Sequence, residues 1–209
     1  SVELTDPEVL AKRRGELIER GHEWRKELAA EDLHDVLIEE RWYRLLENDR
    51  DIGYMRIRER VAEESQTPGI RIDVQSRTVR GGATFGSTAN CFLSDDDTQE
   101  LWSAYVRPLT GYLSQVEAWL LPRLLPVNQT ATGYGFYFLV SETQSLSFRH
   151  DMTRRSDGEI VIESKVLPNR PAVVARYDKG RRLIEKRLTA DRRLVPATET
   201  MIRQLWRGR

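Results

Sequence analysis

Between residues 41 and 186 the chain returns again and again to a two-residue hydrophobic period broken by turn-forming clusters, a rhythm that points to antiparallel β-structure. The clearest case is Ile70, Ile72, Val74, Ser76 and Thr78 alternating with Arg71, Asp73, Gln75, Arg77 and Val79. Side chains of an extended chain point alternately to opposite faces, so one face here is apolar and the other wet. Upstream, residues 41–46 and 52–58 flank the polar stretch Glu47-Asn48-Asp49-Arg50-Asp51, which predicts a hairpin. In its second arm Gly53, Met55, Ile57, Glu59 and Val61 alternate with Ile52, Tyr54, Arg56, Arg58 and Arg60, so one face is the more basic. Thr67-Pro68-Gly69 and Gly81-Gly82 read as further turns, and residues 84–93 as a strand ended by Ser94-Asp95-Asp96-Asp97. Later strands are expected at 134–140, at 159–163 after the turn Ser156-Asp157-Gly158, at 171–177, and at 183–186 after Asp178-Lys179-Gly180.

Helices bracket this region. Thr5-Asp6-Pro7-Glu8 supplies a capping side chain, a proline tolerated in a first turn and a carboxylate near the positive helix end. Leu10, Leu17, Trp24 and Leu28 then form one helical stripe, predicting a long helix over residues 6–30. A second stripe, Leu109, Tyr112, Leu113, Val116 and Leu120, predicts a helix over 109–121 that Pro122 stops, with a buried strand as the alternative. Met201, Ile202, Leu205 and Trp206 predict a short helix over 198–206. Eight or nine strands, three helices and no βαβ alternation define an α+β domain. The expectation is a single domain over 1–209, its large curved antiparallel sheet (40–190) forming a partial barrel behind the N-terminal helix.

Charge restricts function. The 33 basic and 33 acidic side chains cancel, which argues against a protein that works by clamping nucleic acid. Residues 149–209 nevertheless carry 16 basic against 8 acidic side chains. The favoured reading is that basic strands lie near the acidic N-terminal part; the sharper one is a basic face for an anionic partner. The longest apolar-rich segment, residues 109–125, is interrupted by Gln115, Glu117, Pro122 and Arg123, so no transmembrane segment is expected. No signal-peptide pattern is legible.

Catalytic constellations are equally scarce. Of the three histidines, His22 and His34 stand too far apart for a helical metal pair, and with a lone Cys91 no zinc site is expected. Asp95, Asp96 and Asp97 are contiguous, whereas a calcium loop spaces its acids at alternate positions, so a solvated loop is expected. Cys91 with His150 is the one conceivable nucleophile pair. No helix follows Cys91 to lower its pKa, and a structural thiol is the favoured reading. Neither Gly81-Gly82 nor Gly133-Tyr134-Gly135 has the order of a phosphate loop, so no cofactor is expected. The aromatics of the expected strands, Trp42, Tyr43, Tyr54, Tyr134, Phe136, Tyr137 and Phe138, read either as sheet core or as the lining of an apolar cavity within a curved sheet. Tyr134, Phe136 and Phe138 share one face and Tyr137 takes the other.

The hairpin Glu40-Arg41-Trp42-Tyr43 … Asp51-Ile52-Gly53-Tyr54 resembles the Trp-Tyr … Ile-Gly-Tyr opening of uncharacterised exported bacterial proteins. Related openings accompany transglutaminase-like domains. Tyr177-Asp178-Lys179-Gly180 before Leu183-Ile184 is similar to the strand-turn-strand such chains repeat. The resemblance covers about a fifth of the chain. It implies a fold like the periplasmic lipoprotein carriers, in which a curved antiparallel sheet wraps a helix and holds lipid, and a periplasmic or cell-envelope location. It carries no catalytic residue onto this chain. The expected function is therefore non-enzymatic: binding of a lipid, of another apolar or amphipathic ligand, or of a partner protein on the concave side of the sheet. The alternative is an assembly module that docks through the N-terminal helix and the basic C-terminal third, and a Cys/His enzyme ranks last.

Overall fold

A computed structural model describes residues 6–101, 113–126, 132–139, 146–156, 159–165 and 171–207. The described chain starts with helix α1 (Pro7–Lys26) and a short α2 (Ala30–Asp35). It then runs through β1 (Glu40–Glu47), β2 (Arg50–Glu64), β3 (Thr67–Arg80), β4 (Ala83–Ser94) and the two-residue β5 (Glu100–Leu101). Helix α3 (Gln115–Leu124) precedes a second run: β6 (Thr132–Leu139), β7 (Leu146–Ser156), β8 (Glu159–Lys165), β9 (Val173–Tyr177), β10 (Leu183–Arg187) and β11 (Arg192–Ala197). Helix α4 (Glu199–Leu205) follows. All eleven strands form one antiparallel sheet in the order β5-β4-β3-β2-β1-β11-β10-β9-β8-β7-β6. Two meanders thus meet where β1 pairs with β11, Trp42 opposite Ala197 and Glu47 opposite Arg192. Among the described residues β5 and β6 are the edges, and the sheet is not closed.

Turn chemistry explains most strand boundaries. Asn48 and Asp49 close the first hairpin at φ +47° and +64°, the left-handed region that short polar side chains tolerate. That turn is tighter than the five-residue stretch the sequence suggests. Gly81 and Gly82 turn at φ +56° and +80°, as expected. The intervening turn departs from expectation. It is made by Ser65 and Gln66 at φ +51° and +67°, while Thr67, Pro68 and Gly69 lie in β3. The continuous β2–β3 ladder from Gly53↔Thr78 to Glu64↔Thr67 outweighs a local strain of about 1–3 kcal/mol per residue. Strands β5 and β11 are not legible in the sequence, the latter because Pro196 and two arginines mask its pattern.

Helix α3 explains the curvature. Ser114 caps it, accepting from Glu117 N at 3.1 Å while the Glu117 carboxylate accepts from Ser114 N at 2.8 Å. Val116 and Leu120 pack into the core of the first meander with Ile57, Ile72 and Leu93. Leu113, Leu121 and Leu125 pack instead with Tyr134 and Phe136 of β6. Strands β4 and β6 stand near opposite ends of the strand order, so one helix can reach both only if the sheet curls around it. The expected helical stripe is correct at Val116 and Leu120, both fully buried; Leu113 is buried too but precedes the helix, which starts at Gln115 rather than within 109–114, and Leu109 and Tyr112 lie outside the described residues. Pro122 does not stop this helix, which continues to Leu124. Pro122 forfeits the bond its N–H would make to Ala118, and with only Arg123 and Leu124 after it in the helix a kink there displaces little.

Helix α1 covers edge strand β6. Gly21 sits against the Gly135 carbonyl and the Phe136 ring, and the Trp24 ring lies 5.8 Å from that of Phe136. The buried residues of the helix begin at Leu17, and before it Arg14 stacks on Tyr137 of the same strand; Leu10 stays exposed, contrary to the stripe. On the convex face, Thr198 caps α4, and Trp206 meets Tyr54 with ring centroids 5.8 Å apart. The basic strands find the acidic part of the chain in places: Arg192 pairs with Glu47 and Arg193 with Asp49 across the β1–β11 seam. None of the described helices is long and apolar enough to cross a membrane.

Candidate binding cavity

Alternation along β1 and β2 sends Tyr43, Met55 and Ile57 to the concave face, where Leu194 of β11 joins them. Trp119 and Pro122 of α3 stand opposite. The helix does not fill the concavity, and a cavity of about 150 Å³ remains between it and the sheet. An apolar void of that size accepts a benzene-sized group.

Its polar wall is built on one carboxylate. Glu59 continues the inward face of Met55 and Ile57 and is fully buried. Its Oε1 accepts from Arg123 Nη2 at 2.7 Å and pairs with Arg41, and its Oε2 accepts from Ile38 N at 2.9 Å. Arg123 also donates to the Val36 carbonyl at 2.5 Å. Arg181 enters from the β9–β10 turn, where it adopts φ +61°. It donates to the carbonyls of Arg123 and, at 2.9 Å, Leu125. The Nε of Arg41 is buried and has no hydrogen-bond partner among the described residues. Burial pushes the Arg123 guanidinium down to about 10. It also lowers Arg41 and Arg181 from their ordinary values, with Arg123 adding repulsion at Arg41. A more open pocket of about 440 Å³ shares Arg41, Tyr43, Arg181 and Leu183 with the cavity, so these side chains form the boundary, or throat, where the two spaces adjoin.

The seven aromatics expected to line a cavity are distributed more widely. Tyr43 lines the inner cavity, and both Trp42 and Tyr43 line the outer pocket. Trp42 and Tyr54 also form a convex-face cluster with Trp206, where Arg56 stands 5.2 Å over the Trp42 ring. Tyr134 and Phe136 are packed core under α1 and α3. Tyr137 lies beneath Arg14, 5.7 Å from guanidinium carbon to ring centre. Phe138 is paired in β6 opposite Ser147, and its side chain lies outside the described residues. Sequence reasoning misses Glu59, Trp119, Arg123 and Arg181. Glu59 does leave a signal, an acid in phase with Met55 and Ile57. So does Arg123, a cation within an apolar-rich segment.

Other chemistry-bearing residues are accounted for structurally. Cys91 is buried beside the Ile72 carbonyl, and burial, with Glu100 adding to it, pushes its thiol up to about 12. His150 is paired in β7 opposite Gly135 and Lys165, with its side chain outside the described residues. His34 Nε2 lies 2.9 Å from Asp95. Asp96 accepts from Ser94 and Thr98 within the loop, Asp97 pairs with Arg25 of α1, and no metal-holding cluster occurs among the described residues.

The fold and cavity together define an α+β protein whose open, curved antiparallel sheet wraps one internal helix. Compared with known proteins, the chain matches no family model, no curated protein and no solved structure.

Proposed function

We propose that this is a non-enzymatic binding protein of the periplasm or cell envelope that holds an apolar or amphipathic ligand between α3 and the concave face of its sheet. The observation that carries the reading is the unfilled cavity between Trp119 and the Tyr43–Met55–Ile57 wall, adjoined at Arg41 and Arg181 by a more open, polar-lined pocket. Protein interiors ordinarily pack without voids of this size, so a lined and accessible one is a natural place for a ligand. The resemblance of the Trp42–Tyr54 hairpin to exported bacterial proteins supports the location. Native mass spectrometry of the purified chain tests the reading. A small molecule carried through purification and released on denaturation is expected; a chain that neither carries nor takes up any apolar molecule refutes it.

A scaffold role through α1 has less support. Gly21 and Trp24 are already used against β6, leaving Val9 and Leu10 as the exposed apolar residues of that helix. The expected result in light scattering is a monomer; an oligomer lost on Val9→Asp with Leu10→Asp favours the scaffold.

A further inference from the structure

Three guanidinium groups, those of Arg41, Arg123 and Arg181, line the cavity, and the carboxylate that meets two of them is Glu59. Glu59 is already saturated by Arg41, Arg123 and the Ile38 amide. Arg181 is held by the carbonyls of Arg123 and Leu125, which orient it without neutralising it. Arg41 keeps a buried Nε with no partner among the described residues. A buried charge is costly unless it is paired; with Lys186 also lining the cavity, and Glu40 and Arg182 the outer pocket, cationic side chains outnumber carboxylates at the mouth of an apolar space. Guanidinium groups are suited to gripping carboxylate or phosphate oxygens through two N–H donors at once.

Resting on the binding reading above, we infer that the ligand is an anionic amphiphile: its carboxylate or phosphate head sits in the throat against Arg41 and Arg181, and its apolar part enters the cavity beside Met55, Ile57 and Trp119. The geometry matches this division. Arg41 and Arg181 are shared by the inner cavity and the outer pocket, whereas the apolar side chains of β2 and α3 belong to the inner one alone. Arg123 lies deeper, tied to Glu59 and the Val36 carbonyl, and sets the charge of the wall. A neutral lipid would leave the excess positive charge unanswered, and a cationic one would add to it.

Isothermal titration of the full chain with octanoate, octan-1-ol and inorganic phosphate tests this. Octanoate is expected to bind at least about tenfold more tightly than octan-1-ol, a difference that added salt reduces. Arg181→Gln is expected to weaken octanoate far more than octan-1-ol and so to abolish that preference. Because it also removes the hydrogen bonds to the Arg123 and Leu125 carbonyls, Arg181→Lys, which keeps the charge, is the control and is expected to retain the preference. Equal binding of octanoate and octan-1-ol overturns the anionic inference and leaves the binding reading standing. Phosphate binding as tightly as octanoate, and displacing it, shows an anion site without an amphiphile and overturns the inference too. Failure of all three to bind removes the inference together with the function it rests on.

Discussion

Glu59 is the residue on which the interior depends most. It sits in phase with Met55 and Ile57 and holds two arginines that form no ion pair with any other carboxylate among the described residues. Removing one partner of a buried ion pair leaves uncompensated charge, which typically costs about 3–5 kcal/mol. Glu59→Gln is expected to lower stability in urea by that order; a loss below about 1 kcal/mol would contradict the role assigned to it. Glu40 shows the opposite environment, part-exposed and accepting from Arg58 Nε at 2.6 Å and Trp42 Nε1 at 2.7 Å. The Arg58 hydrogen bond holds its carboxyl below the ordinary 4.5. A folded pKa below the unfolded one means that stability is present above pH 4.5 and is lost as pH falls through the folded value. Glu40→Gln is accordingly expected to flatten the acid limb of stability below pH 4.5, read from denaturation curves at successive pH values. Cys91, with its thiol pushed up to about 12, is expected to label slowly with a thiol reagent at neutral pH and quickly once the chain is unfolded.

At the scale of elements, the docking of α1 on β6 turns on a missing side chain. A Cβ on Gly21 would lie 2.3 Å from the Gly135 carbonyl oxygen and 2.9 Å from the Phe136 ring. Backbone cannot retreat as a flexible side chain can, so Gly21→Ala is expected to push the helix off the strand at a cost of about 1–3 kcal/mol. Gly15 lies in the same helix with nothing within 4 Å of its would-be Cβ. Gly15→Ala is expected to stabilise by about 0.5–1 kcal/mol, since it removes only the entropy cost of a helical glycine. Thermal unfolding of the two variants side by side distinguishes a packing role from helix propensity. If both move the midpoint in the same direction, the close approach of α1 to β6 is wrong.

The whole molecule is joined by contacts remote in sequence. The seam pairs residues 42–47 with 192–197, α1 packs on β6, and Arg123 of α3 grips Glu59 of β2. Closing such loops must precede their reward, so topologies dominated by non-local pairing fold slowly. Refolding from urea is expected in about milliseconds to seconds, and a stopped-flow trace complete within microseconds would be inconsistent with a sheet joined through β1 and β11. The same topology explains the cavity. Helix α3 is anchored to both meanders, through Val116 and Leu120 on one side and Leu121 and Leu125 on the other. It bridges the curl of the sheet without filling it.

Much of this architecture is legible in the amino-acid sequence alone. Period-two alternation marks β2 and β3, Gly81-Gly82 marks a turn, flanking turn signals mark β4, and the caps of α1 and α4 are readable, because each depends on residues adjacent in the chain. The composition of an amphipathic element is a local property, and the α+β class follows from it. Less is visible where distant segments compete with local preference. The long β2–β3 ladder moves a turn from Thr67-Pro68-Gly69 to Ser65-Gln66, and the pairing with Tyr43 and its neighbours makes a strand of a segment holding Pro196. The aromatic residues expected to line a cavity are divided between the two faces and the packed core, since alternation says that neighbours point apart but not which face is concave. The cluster of Glu59 with Arg41 and Arg123, and Arg181 beside it, brings together side chains from β1, β2, α3 and the β9–β10 turn. Only the curl of the sheet, decided by which strands meet across the seam, could make them one site.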